Sequence, residues 1–389
     1  MTKSSFIKSR KLLIVTTVPI TIKAFLLPIA RFLRQNGWHV DAMASGVTAL
    51  TELHDEFDNL HEASWTRSPF SYSNYTATKE IQQVCKEQCY DIVHVHTPIA
   101  SLVTRVALAN YSFSGRPKVI YTAHGFHFHS NGGVITNFVY KQIEKWAGKY
   151  TDRLVVINRE DEMSALELNI VKKERLVYMP GIGVDTGFYN PKSISPEKTS
   201  KLKEELGLAS DRTILSMVAE FNPGKRHEDV IDALMLLDVS DVHVVFAGTG
   251  ILEDKLKKKV ADLGIENQVH FLGYCDDVIT VIGSSTATIL SSEREGLPRC
   301  VLESISLGIP VIGAKARGTV DLLDNGVGML YEIGNIQELA DCMKKICFSN
   351  DLVESLSKES RKASKNYDIS KIVEMHLDLY NSVGSVQLT

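Results

Sequence analysis

Residues 11–44 read KLLIVTTVPITIKAFLLPIARFLRQNGWHVDAMA and change periodicity twice. KLLIVTT (11–17) is an unbroken aliphatic and β-branched run of strand length, the pattern of a parallel strand covered on both faces. TIKAFLLPIARFLRQNG then sets Phe25, Ile29, Phe32 and Leu33 on one helical face, with Gly37 as a C-terminal stop. HVDAMA (39–44) returns to strand. Strand, helix and strand in succession are a βαβ unit.

The rhythm continues outward. DIVHVH (91–96), KVIYTA (118–123) and RLVVIN (153–158) are further short apolar runs separated by helical patterns. GIGVDTGFYNPKSISPEKTS (181–200) is rich in Gly, Pro and Ser, lacks a core pattern and reads as a linker. TILSMVA (213–219), VHVVFAG (242–248), VHFLG (269–273), TATILSS (286–292) and IPVIGA (309–314) repeat the array beyond it. The expected fold is α/β, with two Rossmann-like, doubly wound parallel sheets facing each other. Residues 1–185 form the first domain and 186–365 the second. Residues 366–389, with the amphipathic SKIVEMHLDLYNSV, are expected to pack back on the first.

Bulk properties narrow the function. At 389 residues the chain suits two ordinary domains, and its net charge of −4 argues against a nucleic-acid binder. Residues 1–190 hold 21 Lys+Arg against 17 Asp+Glu, whereas the remainder holds 22 against 30. The mildly basic first half suits an anionic partner or an ordinary solvated surface equally. Cys85 with Cys89, and Cys342 with Cys347, fit one helical face each and read as buried free thiols of a reducing compartment. The first apolar run is too short for a signal peptide or a spanning helix, so a cytoplasmic protein is expected.

In doubly wound sheets ligands bind beyond the carboxyl ends of the strands. The loops there include TTVPIT, HTP (96–98), HGFHFH (124–129), EFNPGKRH (220–227), GTGILED (248–254), GYCDD (273–277) and EREGLPR (293–299). In SSEREGLPRCVLESISLGIPVI (291–312), Pro298 suits the first turn of a helix beginning near Leu297. Free amides around Gly296 would then welcome phosphate. Glu295 precedes that helix and Glu303 lies about two turns inside it. The alternative is that Glu295 complements the helix dipole and Glu303 is merely solvated. Lys225 and Arg226 follow a strand end, where two cations suit a diphosphate or a solvated turn. Gly248 in AGTG permits close backbone approach to a nucleotide. His124 closes a strand; His127 and His129 could form a metal site, but no matching Asp/Glu/Cys cluster has zinc spacing.

The segment from Glu295 to Glu303, followed by SLGIPVIG, resembles the E-x7-E motif of retaining glycosyltransferases of family four, which have the two-domain GT-B fold. HVHTP, YTAHG, MPGIGVDTGFY, the Lys225 loop and FAGTG occur in that family's order across essentially the whole chain. ARGTVD (316–321) resembles the variant found in bacterial capsule, O-antigen and exopolysaccharide members. The resemblance implies that Glu303 binds the ribose hydroxyls and Glu295 the donor sugar. Gly296, Leu297 and the neighbours of Pro298 would hold sugar or diphosphate oxygens. It further implies that Lys225 neutralises the leaving diphosphate, His124 faces the transferred sugar across the cleft, and backbone near Tyr274 lines the base pocket. No protein nucleophile is required if the leaving phosphate guides acceptor attack on the same face.

Three positions depart from the family. The usual Gly-Arg before the lysine loop is Ala219-Glu220, leaving Arg226, Arg294 or Arg299 to supply the phosphate-binding arginine. The first loop lacks the frequent glycines, which transfers their work to Thr16, Thr17 and amides near Thr21. The common Asn before Gly-Val-Asp is Gly181 or Ile182. The expected activity is transfer of a hexosyl or N-acetylhexosaminyl unit from a UDP-sugar to a glycan acceptor, carried on a polyprenyl diphosphate, without metal or other cofactor. Peripheral inner-membrane attachment through FLLPIARFLR is one reading of that helix, and a core-facing helix the other. The competing activities are a nucleotide-sugar 2-epimerase and a non-catalytic nucleotide-sugar-binding partner of another transferase. A dehydrogenase is disfavoured because no G-x-G-x-x-G follows the first strand.

Overall fold

The computed structural model describes residues 9–384, apart from 67, 69, 70, 110, 112, 114 and 129–131. Two compact units emerge, one of residues 1–182 with 371–389 and the other of residues 183–370.

The N-terminal unit holds a seven-stranded sheet: β1 (Lys11–Val15), β2 (His39–Ala44), β3 (Leu60–Glu62), β4 (Ile92–Val95), β5 (Lys118–Ala123), β6 (Arg153–Val156) and β7 (Leu176–Tyr178). Their spatial order is β3-β2-β1-β4-β5-β6-β7, and every pairing is parallel. Central strands are buried on both faces, with Leu12, Leu13, Val15, Val93 and Val95 fully enclosed. This is why they appear in the sequence as continuous apolar runs.

The helix of the first βαβ unit differs from its expected form. A turn at Pro19–Thr21 and a π-helical stretch at Ile22–Leu26 precede the α-helix Leu27–Gln35. Register shifts through the π turn, so Ile22, Leu26, Ile29, Ala30 and Leu33 form the buried stripe, while Phe25 and Phe32 are only half-buried. The apolar side of FLLPIARFLR is therefore core, and the membrane-attachment reading of this helix is corrected. The helix Ile369–Gly384 contributes buried His376 and Tyr380 to the N-terminal unit.

The second unit holds β8 (Thr213–Val218), β9 (Val242–Ala247), β10 (Val269–Phe271), β11 (Ala287–Leu290), β12 (Val311–Ala314) and β13 (Met329–Tyr331). The order is β10-β9-β8-β11-β12-β13, again all parallel. Strand order reverses between β8 and β11, which pair through Leu215 with Ala287 and Ser216 with Thr288. Loops leaving two adjacent strands at such a switch point diverge to opposite faces and open a crevice. The expected linker is partly ordered: Ser195 caps and Pro196 opens the helix Pro196–Glu205.

The thiols are free, and Cys85 is buried as expected. Cys89 is instead exposed, because the helix Ser73–Gln88 ends there in a left-handed residue (φ 54°).

Candidate functional site

The crevice between β8 and β11 carries the residues that the sequence singles out in the second unit. After β8 the chain turns through Pro223–Lys225 and enters the helix His227–Leu237. After β11 it runs through 291–298 into the helix Arg299–Leu307. Ser291, fully buried, donates its hydroxyl to the carbonyls of Lys225 (2.7 Å) and Arg226 (3.1 Å). The Glu293 amide donates to the Gly224 carbonyl at 3.0 Å. These bonds fasten the two loops together and fix the backbone beneath Lys225.

Lys225 Nζ lies 2.5 Å from Glu295 Oε1. Burial works against the ammonium, but the Glu295 carboxylate and the acidic groups around it outweigh burial and raise the lysine above its ordinary pKa. The pair is thus a cation and an anion held at one point. Arg226 adopts the left-handed region (φ 53°) and turns to Asp229, which accepts from Nε at 2.7 Å and Nη2 at 3.0 Å. Arg299 Nε donates to Glu303 Oε1 at 2.8 Å. Two of the three candidate phosphate-binding arginines are therefore committed to carboxylates here.

The helix start differs by two residues from expectation. Pro298 is the N-cap, extended at φ −71°, ψ 121°, and its carbonyl accepts the first helical bond from the Leu302 amide at 3.2 Å. An N-cap residue keeps extended backbone while its carbonyl starts the ladder. The first-turn amides belong to Arg299, Cys300 and Val301, which no intrahelical carbonyl can reach. Glu303 consequently sits just over one turn inside, and it is not solvated: it is 6 % exposed. Desolvation raises its pKa, while Arg299 and the hydroxyl of Tyr189 hold against that rise.

Gly318 explains the glycine in ARGTVD. It belongs to the helix Arg317–Leu323, and a Cβ there would lie 2.0 Å from the Gly296 carbonyl oxygen. The contact is backbone against backbone, so a side chain must displace the 296–297 loop. Gly318→Ala is expected to cost about 1–3 kcal/mol through overpacking. Thermal melting measures it; an unchanged melting temperature would show that the 296–297 loop gives way without cost.

Beside this crevice a hollow of about 450 Å³ opens at the ends of β8, β9 and β10, lined by Val218, Glu220, Gly248, Thr249, Tyr274 and Cys275 among others. Gly248 (φ 152°) brings its backbone so close to strand β8 that a Cβ would meet the Ala219 carbonyl at 2.0 Å. Gly248 and Tyr274 thus share one surface, with the Tyr274 side chain 76 % exposed.

In the N-terminal unit, Thr17 and His124 follow β1 and β5. Thr17 is buried, and both its amide and hydroxyl lie 2.7 Å from Thr97 Oγ1. Its polar groups therefore tie the loops after β1 and β4 together. His124 Nε2 lies 3.2 Å from His96 Nδ1, and desolvation, with His376 nearby, lowers the His124 pKa to about 4. Behind them, His94 bonds Tyr380 and Thr122, each at 2.7 Å. Sequence reasoning missed this cluster, although HVHTP places both histidines at a strand end. It also missed Ser291 and Tyr189, whose hydroxyls only the fold brings to the site.

Metal-ligand geometry among the described residues is confined to His39, Asp41 and Asp58, whose ligand atoms lie within 4.8 Å of one another. These groups sit at the amino end of β2, opposite the loops described above. Asp41 already accepts from Tyr90, from His61 (3.2 Å) and from Asn59 (3.1 Å), so its lone pairs serve a polar network. His127 is described, but His129 lies outside the described residues.

Comparison with known proteins agrees along the chain. Residues 198–363 match the family of group 1 glycosyl transferases, and residues 24–187 match Glycosyltransferase Family 4. The chain is 33 % identical, over 96 % of its own length and 97 % of the relative's, to EpsD of Bacillus subtilis (strain 168), a glycosyltransferase by name. It is 27 % identical, over 77 % of each chain, to the UDP-Gal:α-D-GlcNAc-diphosphoundecaprenol α-1,3-galactosyltransferase of Escherichia coli. Among solved structures, Anabaena HepE in complex with UDP shares the fold at a TM-score of 0.79 and 22 % identity, over 96 % of this chain and 100 % of that one. Sucrose-phosphate synthase from Thermosynechococcus elongatus gives 0.79 at 16 % identity, over 96 % and 99 %.

Proposed function

The chain belongs to glycosyltransferase family four, with the GT-B type of fold, and on that premise we propose that it transfers a hexosyl or N-acetylhexosaminyl unit from a UDP-sugar to a lipid-linked glycan. The transfer retains anomeric configuration, uses no metal, and serves assembly of a bacterial surface polysaccharide on a polyprenyl-diphosphate carrier. The observation that carries this reading is the Lys225–Glu295 pair, joined across the loops after β8 and β11 at the switch point of the sheet, just before the helix Arg299–Leu307.

Each group has a task there. The diphosphate would take the charge of Lys225 and the first-turn amides, releasing Glu295 to accept from the donor sugar's hydroxyls. Negative charge grows on the diphosphate as the glycosidic bond breaks, so Lys225 stabilises the transition state more than the bound donor. Glu303, with two acceptor oxygens, suits the vicinal diol of a ribose. The hollow at Gly248 and Tyr274 is the proposed seat of the base. His124 is the N-terminal unit's group assigned to the transferred sugar. A diphosphate-bearing lipid acceptor fits the diphosphoundecaprenol in the name of the E. coli relative.

The test is UDP release across a panel of nucleotide sugars, run with and without EDTA. One UDP-sugar is expected to be consumed above background, faster with a lipid-linked acceptor, and EDTA is expected to leave the rate unchanged. Loss restored by Mn²⁺ or Mg²⁺ would overturn metal independence. Conversion of UDP-N-acetylglucosamine by protein alone, without UDP release, would favour the epimerase.

A further inference from the structure

The helix Val134–Gly148 has its amphipathicity reversed. Val134, Ile135, Phe138, Val139 and Trp146 recur at helical spacing on the solvent side and are 85, 80, 62, 48 and 44 % exposed. Glu144, Ala147 and Gly148 occupy the buried side. There Glu144 Oε2 accepts from Arg105 Nη1 at 3.0 Å, and the fully enclosed Arg105 stacks 4.4 Å from the Tyr121 ring. A surface helix normally presents the opposite arrangement. The buried ion pair fixes the helix so that its apolar residues point outward.

The apolar ridge runs into a cationic groove. A Cβ at Gly148 would lie 1.9 Å from the Ile170 carbonyl oxygen, so the missing side chain lets segment 169–175 close against the end of the helix. The resulting groove, about 580 Å³, is lined by Lys145, Trp146, Lys149, Lys172 and Arg175 among others, with no carboxylate in its wall. None of these four cations forms an ion pair among the described residues, and Lys173 is exposed beside them.

The geometry points to an anionic phospholipid bilayer as the occupant of this face. Aliphatic and Phe side chains enter the acyl boundary, Trp146 sits at the headgroup level, and the lysines meet lipid phosphates. A second copy of the chain on the same face would set cation against cation, which disfavours it. No helix among the described residues is long and apolar enough to cross a membrane, so attachment here is interfacial. The purpose of docking, delivery to a lipid-linked acceptor, rests on the proposed function; the binding itself does not.

The experiment therefore omits donor and acceptor. The full chain is cosedimented with phosphatidylcholine vesicles, with and without phosphatidylglycerol. Binding is expected only with phosphatidylglycerol and is expected to weaken with salt. Lys145→Gln with Lys149→Gln should reduce it by on the order of 25-fold, roughly fivefold per lysine. Ile135→Ser with Phe138→Ser should abolish what remains at high salt. Both double variants should keep the parent's melting temperature and its UDP release, because every changed position is exposed and outside the crevice. Equal binding to both vesicle types, no binding, or variants that bind like the parent would overturn the proposal. A dimer dissolved by Ile135→Ser with Phe138→Ser, without lipid binding, would assign the face to a second copy instead.

Discussion

Lys225→Ala is expected to lower kcat by roughly 10²–10³-fold, equivalent to about 3–4 kcal/mol, while the protein remains folded. The lysine is held by a carboxylate at 2.5 Å and by the clamp of Ser291 on its backbone carbonyl. Glu295 raises its pKa despite burial, so the ammonium stays charged throughout the neutral range. Nothing need move to present that charge to a diphosphate; the donor only has to displace one carboxylate oxygen. The charge it meets grows during bond cleavage, so the loss should fall mainly on kcat, with KM changing less. Folding should suffer little, because the side chain is a quarter exposed and Glu295 retains access to water. Steady-state UDP release gives kcat and KM, and circular-dichroism melting checks the fold. An unchanged kcat would remove Lys225 from the mechanism. A rise in KM alone would reduce it to a binding group.

The strands most legible in the sequence are those enclosed on both faces. β1, β4, β8, β9 and β11 appear as continuous apolar runs because helices cover both sides. β3, β7 and β13 are three-residue edge strands that leave little pattern, whereas β10, equally short and also at an edge, is legible because its residues continue into an apolar run closed by Gly273. Pro196 reads as linker punctuation in the sequence although it opens a helix, since Ser-Pro serves both purposes. Within the site, the helix start near Pro298 was readable from local chemistry, but the pairing of Lys225 with Glu295 was not. The two are far apart in sequence and meet only because β8 and β11 are neighbours at the reversal of strand order. The partner of Arg226 was closer to hand: Asp229 lies three residues along, on the first turn of the same helix. Close approaches such as Gly318 to Gly296 have no local signature, because the glycine serves a backbone that arrives from elsewhere.

The second large effect is a steep loss of stability in mild acid, centred on the histidines of the N-terminal unit. His124 and His376 have pKa values lowered to about 4, and His94 and His96 lie well below the ordinary 6.5, in each case chiefly by desolvation; neighbouring imidazoles add to the lowering at His94, His96 and His124. All four are thus neutral in the folded protein near neutrality. The His94 and His96 rings are centred 4.0 Å apart and those of His96 and His124 5.5 Å apart, so one added proton would raise the cost of the next. Well above pH 6.5 the unfolded chain is neutral at these positions too, and their stabilising contribution is complete. As pH falls below 6.5 the unfolded chain takes up protons that the folded chain refuses, until about pH 4. At pH 5.5, one unit below the unfolded value, each such histidine costs on the order of 1 kcal/mol, so the four together remove a large share of the whole stability of many domains. Most carboxylates remain ionised above pH 5.5, so this window isolates the histidines. His227, also lowered to about 4, adds a contribution of the same sign in the second unit. Urea unfolding at pH 7.5, 6.5 and 5.5 should show the midpoint falling at each step, mostly over the last one. His94→Gln keeps groups that can bond Tyr380 and Thr122, and should flatten that fall by the share of one proton. A midpoint constant across the range would mean that the cluster takes up protons while folded; an unaltered slope in the variant would mean that His94 is not among the groups responsible.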